Sequence, residues 1–80
     1  MASEAQIFGD HIRQLREKRG LTQEKLAQVS DLTTSFVSTI ERGAKSPSLN
    51  TILKLARGLK IDAADLLSDF GYDALRRMKL

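Results

Sequence analysis

The segment from Gln23 to Gly43, QEKLAQVSDLTTSFVSTIERG, constrains the fold of this chain more than any other. Its apolar residues recur at helical spacing on both sides of a short polar break, so it predicts two short helices joined at a tight corner. Ser30 and Asp31 form the break, and Thr33 can cap the second helix by accepting a hydrogen bond from a free backbone N–H. The apolar seam that the two helices share consists of Leu26, Ala27, Leu32, Val37 and Ile40. This arrangement predicts a helix-turn-helix unit.

Three stretches around this corner resemble one known family. They are LREKRGLTQEKLA (Leu15–Ala27), FVSTIERG (Phe36–Gly43) and SPSLNTILKLARGLKIDAADLL (Ser46–Leu67). In this order they are similar to the first and second helices, the recognition helix and the fourth and fifth helices of the phage-repressor-like family, also called the XRE or Cro/C1 family. The resemblance covers about residues 8 to 67. It implies an all-α, compact five-helix domain of the lambda-repressor type over residues 1–70, with the helix-turn-helix at 23–42.

The spacing of apolar and capping residues predicts the other helices. Ser3 and Gln6 have the spacing of a capping box for helix 1, which Gly20 ends, and Thr22 caps helix 2. Helix 3 runs from about Thr34 to Arg42. Helix 4 runs from about Ser48 to Gly58, helix 5 from Ala63 to Ser68 with Asp62 as its cap, and a short sixth helix can form in the tail, 71–80, between Tyr72 and Leu80. The inner stripe of helix 4 is expected to consist of Leu49, Ile52, Leu53, Ala56 and Leu59.

Composition excludes several classes of protein. The 80 residues include no cysteine, so neither a disulfide framework nor a cysteine zinc site can form. No apolar run approaches the roughly 20 residues of a membrane span, and we expect a soluble, cytoplasmic, nucleoid-associated protein. His11 is the single histidine, and the chain has no Gly-rich phosphate loop, so we expect no enzyme activity, no cofactor and no metal. Thirteen basic residues against ten acidic ones give a net charge of +3, a mild bias that fits contact with phosphates.

The outward face of helix 3 carries the predicted contacts with DNA bases. If Val37 and Ile40 point inward, then Ser35, Ser38, Thr39 and Arg42 point outward. The family resemblance places base contacts at Thr34, Ser35 and Thr39. Phe36 lies on the flank, where it can either pack on the core beside Ile40 or rest against the DNA. The candidate base-contacting residues are Thr34, Ser35, Phe36, Ser38 and Thr39. None is a bidentate reader such as Arg or Gln, so DNA shape and water are expected to contribute much of the specificity.

Phosphate contacts are predicted at helix N-termini and at basic side chains next to the recognition helix. Lys45 can alternatively be a solvated surface charge. The candidate phosphate-contacting residues are Gln23, Thr33, Arg42, Lys45, Ser48 and Asn50. The resemblance also implies an ion pair between Arg16 in helix 1 and Glu41 at the end of helix 3, with a structural role.

The apolar residues of helix 5 and the tail predict a partner surface. They are too many for one small core, and exposed apolar patches usually mark an interface. The alternative is that the tail folds back on its own domain. The candidate dimer-interface residues are Ile61, Leu66, Leu67, Phe70, Leu75 and Met78.

The sequence therefore predicts a transcriptional regulator that binds double-stranded DNA at a pseudo-palindromic operator as a homodimer. The family includes restriction–modification controller proteins and phage repressors, and contact with RNA polymerase is a further expectation. The alternative function is that of an antitoxin or co-regulator whose main role is to bind another protein.

Overall fold

Six α-helices, and no strand, make up the computed structural model over the residues that it describes, 2–80. The prediction of an all-α fold is confirmed. The helices are α1 (Glu4–Lys18), α2 (Gln23–Val29), α3 (Thr34–Glu41), α4 (Leu49–Leu59), α5 (Ala63–Leu66) and α6 (Tyr72–Arg77). The last two end earlier than the sequence predicts, at Leu66 and at Arg77.

Side-chain caps start the first four helices. The hydroxyls of Ser3, Thr22, Thr33 and Ser48 each accept a hydrogen bond from the backbone N–H three residues later. This bond satisfies one of the N–H groups that a helix start leaves unpaired. Asp62 occupies the cap position of α5, but its side chain makes no capping bond, so the predicted cap is wrong in this detail.

The hydrophobic core lies where α1 to α5 meet. The seam of the helix-turn-helix forms its centre, since Leu26, Ala27, Val37 and Ile40 are all buried and Leu32 packs against them from the edge. The prediction of this seam is confirmed. The buried core residues are Phe8, Ile12, Leu26, Ala27, Val37, Ile40, Leu55, Ala56, Leu59 and Leu66.

The inner face of α4 differs in part from the prediction. Three residues of the expected stripe are buried or pack against the core: Ile52, Ala56 and Leu59. Leu49 and Leu53 are 68% and 49% exposed, whereas Thr51 and Leu55 are buried. At about 100° per residue, Leu49 and Leu53 form one row and Thr51, Leu55 and Leu59 form another on nearly the opposite side. The expected stripe mixed the two rows, because the leucines alone do not reveal which row faces the core.

Leu66 is also placed differently from the prediction. Its side chain is 0% exposed and belongs to the hydrophobic core of its own chain. It therefore cannot contact a second copy, and its assignment to a dimer interface is wrong. Four residues of α5 are too few to show a helical period, so the pattern of apolar residues does not indicate which of Leu66 and Leu67 points inward.

The backbones of two helix pairs approach closely. A Cβ added to Gly9 in α1 would lie 2.2 Å from the carbonyl oxygen of Ile40 in α3. A Cβ added to Gly58 in α4 would lie 2.1 Å from Oγ of Ser30, directly after α2. The two glycines therefore permit the helix packing that positions α3.

Over residues 2–80, none of the helices combines the length and the apolar character needed to cross a membrane.

Candidate DNA-binding surface

The exposed side of α3 is polar and faces away from the core. Thr34 and Ser35 are exposed in its first turn, Ser38 and Thr39 are half-buried one turn later, and Arg42 is exposed at its C-cap. Eight residues of α-helix are about 12 Å long, a length that can lie across the major groove of B-DNA, which is also about 12 Å wide. The surface thus has the size and the chemistry of a recognition helix.

Hydrogen bonds connect the side chains along this surface. The hydroxyl of Thr39 donates to the backbone carbonyl of Ser35 at 3.0 Å. Nη2 of Arg42 lies 3.4 Å from the same hydroxyl oxygen and donates to it. The guanidinium of Arg42 therefore lies beside Thr39 on the outer side of the helix and has further N–H groups that this bond does not use.

Phe36 is half-buried and packs against the core. Of the two placements that the sequence left open, the structure shows this packing in the free protein. Contact of the exposed part of the ring with DNA stays a prediction.

The carboxylate of Glu41 is the centre of a buried polar cluster. Nε of Arg16 donates to Oε2 at 2.6 Å, and Nη2 of Arg16 donates to Oε1 at 3.0 Å. Nε2 of Gln23 donates to Oε1 at 3.0 Å as well. The Glu41 side chain is 3% exposed and that of Arg16 is 12% exposed. The structure therefore brings the predicted pair together as a bidentate ion pair, which is the strongest form of this interaction.

The Arg16–Glu41 pair links four parts of the chain. Nη1 of Arg16 donates to the carbonyl of Leu21 at 2.8 Å, so the guanidinium bridges α1, the loop after it and the end of α3, while Gln23 adds α2. The hydrogen bonds that Arg16 donates to Glu41 raise the pKa of Arg16 above its ordinary value, against the opposing effect of burial. Because the pKa of this cation is raised on folding, its contribution to stability is fully present below the ordinary pKa of arginine and is lost only at higher pH. Arg16 therefore stays charged at every physiological pH.

The candidate phosphate ligands differ in the hydrogen-bond donors that they still have free. Arg42, Lys45 and Asn50 are exposed. Gln23 uses one of its two amide N–H donors for Glu41 and keeps the other. The hydroxyl of Thr33 accepts the capping bond and keeps its proton, whereas the hydroxyl of Ser48 both caps α4 and donates to Thr51 Oγ1 at 3.1 Å. Contact between Ser48 and a phosphate would therefore require this bond to break.

His11 makes contacts that sequence reasoning did not find. Its Nε2 lies 2.9 Å from the carbonyl oxygen of Asp65, and its Nδ1 lies 3.5 Å from Oδ2 of Asp69. The imidazole thus ties α1 to α5 and to the turn after it. Between residues 2 and 80, no set of three His, Cys, Asp or Glu side chains is positioned to hold a metal ion.

The remaining candidates for a dimer interface lie at the C-terminal end of the fold. Leu67 and Leu75 are 42% and 41% exposed. Ile61 and Phe70 are partly buried against the core, and Met78 is half-buried. The tail folds back in part, because Met78 and its neighbours lie beside Ala2, Ser3 and Glu4 at the start of α1. The exposed leucines nevertheless leave apolar surface open on this side of the molecule.

Comparison with known proteins agrees with the architecture. The family model described as "Helix-turn-helix" matches residues 12–66. Control protein C.BamHI of Bacillus amyloliquefaciens is 42% identical over 62 residues, which cover 76% of this chain and 76% of the relative. The repressor RghR of Bacillus subtilis, named an HTH-type transcriptional repressor, is 42% identical over 66 residues, which are 81% of this chain but 49% of that protein.

A solved structure of a similar protein has the same fold. The restriction-modification controller protein C.AhdI from Aeromonas hydrophila superposes with a TM-score of 0.77 at 44% identity, covering 79% of this chain and 96% of that one. These proteins bear the names of regulators and not of enzymes, in agreement with the sequence-based prediction. The chain therefore belongs to the helix-turn-helix family, as its sequence predicted.

Proposed function

We propose that this protein is a transcriptional regulator that binds a specific sequence of double-stranded DNA by placing α3 in the major groove. The proposal is supported by α3 having one apolar, buried face and one polar, exposed face. Val37 and Ile40 are buried, while Thr34 and Ser35 present free hydroxyls to solvent at the N-terminal end. The Glu41 cluster fixes the orientation of the helix, so these hydroxyls would meet DNA on a rigid support.

Contacts with the phosphate backbone would set the register of α3 along the groove. Arg42 and Lys45 follow the helix directly, and Asn50 lies in the first turn of α4. Gln23 opens α2 and retains one amide N–H for a phosphate oxygen. Such contacts position the protein but do not read sequence, and they make binding depend on salt.

A homodimer would join two recognition helices on a pseudo-palindromic operator. One helix of eight residues reads few base pairs, whereas two copies related by a two-fold axis read half-sites about 34 Å apart. The exposed apolar side chains of Leu67 and Leu75, next to Phe70 and Met78, support a dimer surface at the C-terminal end. Likeness to control proteins supports a role in controlling genes of a restriction–modification system.

A random-site selection tests this proposal. The purified full chain is incubated with randomised DNA duplexes, and the bound duplexes are sequenced after several rounds. We expect one enriched motif with two-fold symmetry and half-sites one helical turn apart. Enrichment of no motif, or equal retention of all duplexes, would contradict sequence-specific binding.

The dimer is tested by sedimentation of the wild type and of Leu75→Glu. We expect the wild type to dimerise and the variant, with a charge on the apolar surface, to be monomeric and to bind the operator more weakly. Thr22→Ser, a conservative change far from the tail, serves as the control. A monomeric wild type at the concentrations where it binds DNA would exclude the proposed dimer, and a Leu75→Glu protein that still dimerises would exclude this surface.

A further inference from the structure

The hydroxyl group of Thr39 is already engaged within α3. Its single proton is donated to the carbonyl oxygen of Ser35, at 3.0 Å. Arg42 donates to the same hydroxyl oxygen at 3.4 Å. A threonine hydroxyl has only one proton, and in helices it is frequently bonded to the carbonyl one turn earlier. While this bond persists, Thr39 has no donor to offer to a DNA base.

The acceptor groups of the bases in the major groove require such a donor from the protein. Guanine presents N7 and O6, adenine presents N7, and thymine presents O4, and all of these are acceptors. Adenine N6 and cytosine N4 are donors, and the Thr39 oxygen that would accept from them already accepts from Arg42. The methyl is the one group of the Thr39 side chain that makes no hydrogen bond. The one apolar group that a base presents in the major groove is the C5-methyl of thymine.

We propose that Thr39 recognises the C5-methyl group of a thymine through its own methyl group, and not a hydrogen-bonding group of a base. This inference rests on the proposed function, since it requires α3 to lie in the major groove. It divides the reading surface into two parts. Thr34 and Ser35, exposed in the first turn, are the polar readers, and Thr39 in the next turn is an apolar one.

The same hydrogen bonds give Arg42 a defined place beside the thymine contact. Because one of its N–H groups donates to Thr39, the guanidinium lies beside the Thr39 side chain on the outer side of α3. Loss of the Thr39 hydroxyl would free Arg42 without removing the methyl, so the hydroxyl and the methyl can be tested separately.

Two substitutions separate these groups. Thr39→Val keeps a methyl in a side chain of the same shape and removes the hydroxyl, whereas Thr39→Ser keeps the hydroxyl and removes the methyl. Each variant is tested on the selected operator and on operators in which single thymines are replaced by deoxyuridine, which removes only the C5-methyl. Thermal melting of each variant verifies that it is folded.

For the wild type we expect one thymine in each half-site at which deoxyuridine weakens binding about fourfold, the effect of one buried methyl group. Thr39→Val should bind the operator within about twofold of the wild type and keep this penalty. Thr39→Ser should bind the operator with thymine at that position and the operator with deoxyuridine there with equal affinity.

Three results would overturn the inference while leaving the proposed function intact. In the first, Thr39→Val binds the operator with an affinity at least tenfold lower than that of the wild type. In the second, no deoxyuridine substitution weakens binding of the wild type. In the third, Thr39→Ser loses as much affinity as the wild type at every thymine replaced by deoxyuridine. Failure to select any operator would instead contradict the proposed function, and the inference with it.

Discussion

Arg16 and Glu41 form a bidentate ion pair between the last turn of α1 and the last residue of α3, with N–O distances of 2.6 and 3.0 Å. The pair is nearly closed to solvent, since the Glu41 side chain is 3% exposed. Because α3 is also the proposed recognition helix, the orientation of the proposed DNA-reading surface depends on this contact. Gln23 completes the site with a third hydrogen bond to the carboxylate.

Replacement of Glu41 by alanine should lower the free energy of unfolding by about 3 kcal/mol, because it leaves the largely buried guanidinium of Arg16 without its partner. In a domain of this size such a loss lowers the melting temperature by about 12 °C or more. Thermal denaturation followed by circular dichroism measures the change. DNA binding should fall with the folded fraction and should partly recover on cooling.

Arg13→Ala is the matched control for this prediction. Arg13 also lies on α1, but it contacts Asp10 at 3.7 Å and both side chains are more than half exposed. An exposed pair of this kind contributes about 0–1 kcal/mol. If the melting temperature of Glu41→Ala equals those of Arg13→Ala and the wild type, the structural role of the Arg16–Glu41 pair is excluded.

Gly9→Ala should destabilise the protein although alanine is the better helix former. The added Cβ would lie 2.2 Å from the carbonyl oxygen of Ile40 and 2.9 Å from that of Glu41, and backbone atoms cannot move aside as side chains do. We expect a loss of about 2 kcal/mol or more in place of the usual gain of about 1 kcal/mol. Chemical denaturation with urea gives the value.

Gly71→Ala provides the comparison, because nothing lies within 4 Å of the position where its Cβ would be. Its effect should stay within about 0.5 kcal/mol, as for most surface substitutions. Equal effects at the two glycines would argue against close packing of α1 on α3.

Ser30→Ala and Ser48→Ala should have different effects on stability. Ser30 is 0% exposed, and its Oγ has no hydrogen-bond partner within residues 2–80, so its removal should be neutral or stabilising by up to about 1 kcal/mol. The hydroxyl of Ser48 caps α4, and its loss should cost about 1 kcal/mol. The melting temperatures of the two variants, measured under the same conditions, test this difference in stability. Destabilisation by Ser30→Ala as large as that by Ser48→Ala would mean that the Ser30 hydroxyl has a partner.

Local patterns predicted the parts of the fold that depend on neighbours in sequence. The caps at Ser3, Thr22 and Thr33 and the seam of the helix-turn-helix follow from spacings of three and four residues, which a helix turns into contacts. The phase of α4 was not predictable in this way, because Leu49, Leu53 and Leu55 offer two apolar rows and only the position of the neighbouring helices selects one.

Contacts between distant residues were the least predictable part of the candidate site. His11 and Asp65 are separated by 54 positions and Gln23 and Glu41 by 18, and nothing in the intervening sequence indicates that they meet. The close approach at Gly9 did have a signal, because a glycine inside a 15-residue helix reduces helix stability unless packing requires it. The thymine preference inferred for Thr39 likewise depends on a rotamer that the sequence does not specify.

Arg42→Ala should weaken binding to all DNA sequences alike, because a phosphate contact carries no sequence information. The slope of log K against log salt concentration should become shallower by about 0.9 for each lost contact, hence by about two units in a dimer. Fluorescence anisotropy across a salt series measures the slope. Arg57→Ala, which removes the same charge from the exposed last turn of α4, is the control, and equal slopes for the two variants would exclude a phosphate contact by Arg42.

The specificity ratio of the Thr34→Ala/Ser35→Ala double variant shows whether the first turn of α3 reads DNA bases. The ratio compares affinity for the selected operator with affinity for a random duplex at the same salt concentration. Loss of two base-contacting hydroxyls should lower the ratio about tenfold or more while non-specific affinity and melting temperature stay unchanged. Ser68→Ala, an exposed serine outside the helix-turn-helix, should leave the ratio unaltered. A double variant with the ratio of the wild type would show that this surface does not read the operator.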